Sequence, residues 1–183
     1  DVRNFDEWPN LDIDLIVGGS PCQAFSVAGL RKGLTDDRGN LTLVFAAICE
    51  RYDPLGIVWE NVPGVLSDKT NGFGCLLGEL AGEDAALVPG RTGWTDAGVA
   101  AGPARIAAWR GRDAQGVVPQ RRRRVFVVAS RDAVRLDPVR VLFEAEADAF
   151  RRVGDRAYTG PLFPVREGGS GDSQESGEAG ARV

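Results

Sequence analysis

The stretch IDLIVGGSPCQ, residues 13–23, decides the fold of this chain. It begins with a short apolar run, residues 13–17, that two glycines bring to an end. Such a run followed by glycine is typical of a buried strand that ends in a loop. A second stretch, IVWENVP at residues 57–63, has the same order of an apolar run followed by polar residues. We therefore predict two strands with polar groups at their carboxyl ends.

The rest of the chain has helical and strand patterns of its own. Residues 41–52 carry apolar side chains at positions 41, 44, 45 and 48, the spacing of one helix face, and residues 73–80 have a second, weaker helical pattern. Further strands are predicted at residues 105–109 and 125–129. Strands separated by helical patterns favour an α/β fold with a mostly parallel sheet, whose ligands bind at the carboxyl ends of the strands.

The length and composition indicate a single soluble globular domain. The chain has 183 residues, of which 43% are hydrophobic and 26% are charged, and its net charge is −4. No apolar run approaches the roughly 18 residues that a membrane span needs, and we see no signal peptide, so we predict a cytoplasmic protein with no membrane partner. Because methionine is absent, we expect the chain to be a piece of something longer.

Histidine is also absent, which excludes Ser-His-Asp triads, Cys-His dyads and histidine-ligated metals, and we predict no metal site. The three cysteines are far apart in sequence, which argues against a zinc ribbon and against a disulfide framework. Cys49 and Cys75 fall within helical patterns, where a cysteine is typical of the core. Cys22 follows two glycines and a proline at a strand end, and it is either a buried small side chain or a nucleophile.

A carboxylate and an arginine run supply further candidates for chemistry. Glu60 directly follows the second apolar strand, and it is either the structural partner of an arginine or a partly buried acid with a chemical role. The run QRRRR, residues 120–124, stands immediately before a strand and is either a solvated charge run or a binding feature. Alternation along the strand points Arg122 and Arg124 to one side, so this pair can face a pocket while its neighbours meet solvent or phosphate.

Three motifs of this chain resemble those of the DNA cytosine-5 methyltransferases. GGSPCQAFS at residues 18–26 is similar to the family's Pro-Cys-Gln motif, WENV at residues 59–62 to its Glu-Asn-Val motif, and PQRRRRV at residues 119–125 to its Gln-x-Arg-x-Arg motif. The order and separations are those of the family, and RGNL at residues 38–41 resembles the loop that enters the helix after the nucleophile. The resemblance spans about residues 1–145 and is of the bacterial or phage restriction type.

The resemblance implies a Rossmann-like S-adenosylmethionine-dependent methyltransferase fold that acts on double-stranded DNA. In the family the cysteine thiolate, here Cys22, adds to carbon 6 of a flipped cytosine, and carbon 5 then takes the methyl group of S-adenosylmethionine. Protonated Glu60 is implied to bond ring nitrogen 3, and Arg124, with Arg122, to hold the cytosine carbonyl oxygen. The residues implied in substrate binding or loop bracing are Pro21, Gln23, Ser26, Asn61, Val62 and Gln120.

Parts of the family pattern have no counterpart in this chain. The glycine-rich cofactor loop and the acidic residue that binds the ribose are missing, and only Asp1 resembles a residue that contacts the adenine of the cofactor. Nothing after about residue 146 resembles the target-recognition domain. We therefore expect a truncated fold, which a second chain or an upstream segment completes. Residues 1–145 are its catalytic half, and residues 146–183 are an extension that is disordered from about residue 166.

Three functions remain open on the sequence. The first is a DNA cytosine-5 methyltransferase, the second an inactive methyltransferase remnant that at most binds nucleic acid, and the third a tRNA cytosine-5 methyltransferase. The extra residues between Thr92 and Gly116 favour DNA over tRNA, because they resemble those of bacterial and phage DNA enzymes.

Overall fold

The computed structural model of the chain describes residues 1–21, 41–116 and 119–143. Several predictions lie outside the described residues, namely those for Cys22, Gln23, Ser26, the loop at residues 38–40, and the boundary and tail after residue 143. The elements and contacts given below lie within the described residues.

Within these residues, strands and helices alternate in the first half and strands dominate the second. The strands are β1 (Leu15–Gly18), β2 (Gly56–Asn61), β3 (Ala97–Ala101), β4 (Ile106–Asp113) and β5 (Arg123–Ser130). The helices are α1 (Leu41–Tyr52), α2 (Gly72–Ala81) and α3 (Pro138–Phe143), and 3-10 turns cover Val2–Glu7, Pro63–Ser67 and Ala114–Gly116. The two predicted helices and four predicted strands are confirmed within a few residues. None of these helices combines the length and the apolar character that a membrane crossing requires.

All five strands form one sheet in the order β1-β2-β5-β4-β3. Only β1 and β2 are parallel, and the other three pairings are antiparallel. The prediction of a mostly parallel sheet is therefore wrong for the described residues. The physical reason is the length of the connections, because residues 102–105 and 114–122 are too few to form the crossover that parallel neighbours require.

Strand β3 was not predicted. Its sequence, AGVAA, has little strand propensity of its own. It forms because each of its five residues pairs with a residue of β4. Gly98 permits this pairing, since a Cβ atom there would overlap the Trp109 indole ring. Pairing with β4 thus outweighs the low strand propensity of β3, which is the outermost strand on this side of the sheet.

The larger core lies between the sheet and helices α1 and α2. At its centre the ring of Phe73 lies 5.1 Å from that of Trp94 and 5.7 Å from that of Trp109, both in edge-to-face geometry. The Trp59 ring joins this group at 6.3 Å from Phe73. A smaller apolar cluster on the opposite face of the sheet includes Phe143 of α3. The packed rings make β2 and β4 a rigid base for the residues at the sheet edge.

Candidate active site

Three stretches of the sequence meet at one edge of the sheet. Because β1 and β2 are parallel, with Gly18 opposite Trp59, their carboxyl ends lie together. This confirms that the residues after these strands share one edge. Strand β5 runs antiparallel to β2, with Val125 opposite Asn61, so the arginine run that precedes β5 arrives at the same edge.

Glu60 and Arg124 form an ion pair at this edge. Arg124 Nε lies 2.8 Å from Glu60 Oε1, and Arg122 Nη2 lies 3.9 Å from the same oxygen. The side chain of Glu60 is 34% exposed, that of Arg124 26% and that of Arg122 54%. Glu60 therefore has one close, partly buried guanidinium partner and one that is more distant and more exposed.

Strand alternation separates the arginines of the run. Arg124 lies on the side of Glu60, whereas Arg123, its neighbour on β5, pairs with Asp96 at 2.7 Å. A carboxyl group beside a guanidinium group can bond adjacent nitrogen and oxygen atoms on one edge of a planar ring. The arrangement is therefore chemically suited to a heterocyclic base.

Gly18 and Gly19 allow close packing where β1 ends. A Cβ atom on Gly18 would lie 2.5 Å from the Phe45 ring, and one on Gly19 would lie 3.1 Å from Glu60 Oε2. A larger residue at either position would have to displace its neighbour. The two glycines therefore bring the chain close to α1 and to the carboxylate before it turns toward Pro21.

Asn61 ties the end of β2 to this segment. Its Nδ2 donates to the Ser20 carbonyl oxygen at 2.9 Å, and its Oδ1 accepts the Val62 N–H at 2.8 Å. The side chain is buried, so both ends of the amide find partners away from water. The Asn61 side chain thus holds Ser20, the residue immediately before Pro21.

The Ser20 hydroxyl makes two hydrogen bonds that the sequence does not predict. Its Oγ lies 2.6 Å from Thr42 Oγ1, and it accepts the Trp59 Nε1–H at 3.1 Å. Thr42 and Trp59 are both buried. Ser20 is therefore held by side chains from α1 and from β2, in addition to the amide of Asn61.

The buried face of α1 differs from the predicted face, because the Thr42 hydroxyl turns inward to contact the Ser20 hydroxyl. Thr42 is buried, whereas Leu41 and Phe45, which were assigned to the apolar face, are only partly buried. The threonine turns toward the sheet because its hydroxyl has a partner there. A signal for this was present in the sequence, because Thr42 stands seven residues before Cys49 and so lies on the same side of the helix.

The other predicted site residues make no contact with Glu60 that the structure describes, or they lie beyond the described residues. Pro21 and Gln120 are exposed. The Asp1 carboxylate pairs with Arg3 at 2.6 Å and caps the first 3-10 turn, so its described contacts are with its own segment. The candidate nucleophile Cys22 lies among the residues that the structure does not describe.

The two described cysteines are poor nucleophiles. Cys49 is fully buried, which confirms the prediction of a core position, whereas Cys75 is only partly buried. Burial raises the pKa of the Cys49 thiol to about 12, and it also raises the pKa of Cys75, where the nearby carboxylates of Glu79 and Asp68 add to the effect. Both thiols are therefore protonated at neutral pH, which leaves them unreactive.

Comparison with known proteins assigns these strands to a family. Residues 1–80, which contain β1, β2 and the contact between Asn61 and Ser20, match the family of C-5 cytosine-specific DNA methylases. The match covers the first 80 of the 183 residues of the chain. The arginine run before β5 lies beyond the matched residues, so the structure and not the family match brings Arg124 to Glu60.

The curated relatives that the chain resembles are phage and bacterial methyltransferases. The chain is 49% identical over 164 residues to a DNA N-6-adenine-methyltransferase of Escherichia phage P1, which covers 73% of this chain and 22% of the relative. It is 46% identical over 72 residues to the orphan methyltransferase M.SPRI of Bacillus phage SPR, covering 39% and 16%. It is 47% identical over 57 residues to the type II methyltransferase M.AquIA of Picosynechococcus, covering 31% and 23%. The chain thus spans between 16% and 23% of the length of these relatives.

Proposed function

We propose that the protein carrying this chain is a DNA methyltransferase and that it methylates cytosine at carbon 5. The observation that carries the proposal is the pair of Glu60 and Arg124 at 2.8 Å, on the sheet edge from which Ser20 leads the chain to Cys22. An acid and a guanidinium group side by side complement the ring nitrogen 3 and the carbonyl oxygen of cytosine. The match of residues 1–80 to the C-5 cytosine-specific DNA methylases supports methyl transfer to DNA.

Cys22 is the proposed nucleophile. Its thiolate adds to carbon 6 of a cytosine flipped out of the duplex, which forms a carbon–sulfur bond and makes carbon 5 electron-rich. Carbon 5 takes the methyl group, and loss of the carbon 5 proton to a base then restores the ring double bond and expels the thiolate. Because this chain has no histidine, the thiolate is stabilised by an arginine or by a helix N-terminus, or it is generated only when the substrate docks.

Glu60 and Arg124 act on the negative charge that thiolate addition places on the ring. Glu60 shares a proton with ring nitrogen 3, and Arg124 donates to the carbonyl oxygen, so the charge is stabilised where it develops. A base that enters this edge replaces part of the contact between the two side chains. Arg122, which is more exposed and 3.9 Å from Glu60, is a second donor for the flipped nucleotide.

S-adenosylmethionine is the proposed methyl donor, and its positively charged sulfur makes the methyl group electrophilic. The carboxylate of Asp1, the candidate from the sequence, is held by Arg3. The contact of Asp1 with the cofactor stays a prediction, and no other residue of the chain is assigned to the cofactor.

Methylation of adenine at N6 is the second candidate, because the relative from phage P1 is named for that activity. An exocyclic amino nitrogen can attack the methyl group directly, with no covalent bond between the base and the enzyme. A thiol nucleophile has no role in that reaction. The two candidates therefore differ in whether Cys22 is required.

The test is the identity of the methylated nucleoside. A protein containing this chain is incubated with S-adenosylmethionine and duplex DNA or tRNA, and the nucleosides are analysed by mass spectrometry. We expect 5-methylcytosine in DNA, and covalent trapping on DNA that contains 5-fluorocytosine. Cys22→Ser should abolish both, whereas Cys75→Ser, a change at a partly buried thiol outside the edge, should preserve them.

Each alternative gives a different product. N6-methyladenine whose formation survives Cys22→Ser would establish the adenine reaction instead. Methylation of tRNA without methylation of DNA would make RNA the substrate. DNA binding without any methylated nucleoside would identify an inactive remnant.

A further inference from the structure

We infer that Thr42 and Trp59 are positioning residues for the catalytic cysteine segment, and that they act by fixing Ser20, two residues before Cys22. This inference rests on the proposed function. The three side chains are called the hydroxyl cluster below: the Ser20 hydroxyl, the Thr42 hydroxyl and the Trp59 indole N–H. None of these groups touches the proposed base-binding pair of Glu60 and Arg124 in a described contact.

Both the hydroxyl group and the backbone carbonyl of Ser20 make hydrogen bonds. Its hydroxyl oxygen accepts the Trp59 Nε1–H at 3.1 Å, and its 2.6 Å contact with Thr42 Oγ1 joins the two hydroxyl groups. The Ser20 carbonyl oxygen accepts from Asn61 Nδ2 at 2.9 Å. Side chain and backbone of one loop residue are thereby tied to α1 and, at two points, to β2, which restricts the residue in more than one direction.

The side-chain partners of the Ser20 hydroxyl are fully buried. Trp59 has no exposed surface, and its ring packs 6.3 Å from Phe73 in the aromatic core. Thr42 is 1% exposed and lies in the first turn of α1. A loop residue bonded to such groups inherits their fixed position, because close-packed interiors yield little.

The consequence is a fixed starting point for the segment that carries the nucleophile. From Ser20 the chain has only Pro21 before Cys22, and proline holds its own φ near −65°. A shift of Ser20 therefore shifts Pro21, the residue from which Cys22 follows in the sequence. Since misplacing a reacting group by about 1 Å can cost about 10²-fold in rate, the cluster affects the chemical step more than substrate binding.

The discriminating variants are Thr42→Val, which keeps the shape of the side chain but removes the hydroxyl, and Thr42→Ser, which keeps the hydroxyl. In the 183-residue chain we expect Thr42→Val to speed hydrogen exchange in residues 16–21 by about tenfold. Exchange in β2 and β5 should not change. In an active protein that contains this chain, we expect kcat to fall about tenfold with KM for DNA within about twofold. Thr42→Ser should restore both.

Two outcomes would overturn the inference. One is a folded Thr42→Val chain whose exchange at residues 16–21 and kcat equal those of the parent. The other is an equal increase of exchange in all strands, since that would show a general loss of stability. Trp59→Phe, which keeps an aromatic ring but removes the N–H, repeats the test if Thr42→Val does not fold.

The exchange measurement also separates this inference from the proposed function. Hydrogen exchange reports how firmly the segment around Ser20 is held, and it does not require methyltransferase activity. Methylation that survives Cys22→Ser would contradict the proposed function while the exchange result stands. An unchanged exchange pattern would contradict the role of Thr42 and Trp59 while Cys22 keeps its assignment.

Discussion

The Glu60 carboxylate lies 2.8 Å from Arg124 Nε across two antiparallel strands. The pair is diagonal, because Glu60 stands directly opposite Phe126 and the arginine reaches it from two residues along β5. Long side chains span this diagonal distance readily. Both side chains are about one third exposed or less, so water screens their interaction only in part. Substitutions at the two positions should therefore affect catalysis differently from substitutions at exposed charges.

Replacement of Glu60 by glutamine tests its role as an acid. Glu60→Gln keeps the size of the side chain but cannot share a proton with ring nitrogen 3, so turnover should fall by about 10²-fold while DNA binding persists. The measurement is single-turnover methylation beside a binding titration. Glu50→Gln is the control, because Glu50 is exposed on α1. Near-normal turnover of Glu60→Gln would reduce the carboxylate to a structural partner of Arg124.

The two arginines near Glu60 should not tolerate lysine equally. Arg124→Lys removes the planar fork that bonds Glu60 at close range and should lower kcat/KM by about 10²-fold. Arg122→Lys should cost less than about fivefold, because Arg122 is more exposed and more distant from the carboxylate. Equal losses in the two variants would show that the close contact does not distinguish Arg124.

The exposed Arg121 should contribute to DNA binding through phosphate alone. Arg121→Gln should lower affinity for all DNA sequences alike and reduce the slope of log K against log salt by about 0.9. Arg135→Gln is the matched control, because Arg135 is exposed near the opposite edge of the sheet. Fluorescence anisotropy at several salt concentrations gives both slopes. A slope that stays unchanged in Arg121→Gln would remove this residue from the DNA interface.

The buried thiol of Cys49 predicts a loss of stability at alkaline pH. Its pKa is raised from 9.0 to about 12, so between these values the unfolded chain releases a proton that the folded chain keeps. The contribution of this thiol to stability is therefore complete below pH 9 and is lost as the pH rises toward 12, at about 1.4 kcal/mol per pH unit. Urea unfolding at pH 8 and pH 10 measures the slope. Cys49→Ala should remove that part of it, whereas a slope identical to the parent's would contradict the assignment.

Strand β1 has one described neighbour, and its free side is apolar. Leu15 is 53% exposed and Val17 67% exposed on this edge strand. A strand with one unpaired edge and exposed apolar side chains promotes pairing between copies, so the 183-residue chain should self-associate with increasing concentration. Val17→Lys should suppress the association in sedimentation experiments, and Val134→Lys, at an exposed position outside the strands, should not. Association that persists in Val17→Lys would exclude β1 as the contact.

The candidate site was predictable where it depends on local order along the chain. The strand-end positions of Ser20 and Glu60 follow from apolar runs that stop at glycine or at polar residues. Alternation along β5 predicts that Arg122 and Arg124 turn the same way, since successive side chains of a strand point to opposite faces. The contact of Arg124 with Glu60 was not predictable as a distance, because the two residues are 64 positions apart in sequence and only strand pairing brings them together.

The sequence by itself determined two of the three described helices, four of the five described strands and the family motifs, because their patterns are visible within one segment. Only the tertiary structure decided the antiparallel order of β5, β4 and β3, because pairing depends on connection length and on packing against distant residues. It also decided that polar Thr42 turns inward. A buried hydroxyl is acceptable only where a partner such as Ser20 exists, and that partner is 22 residues away.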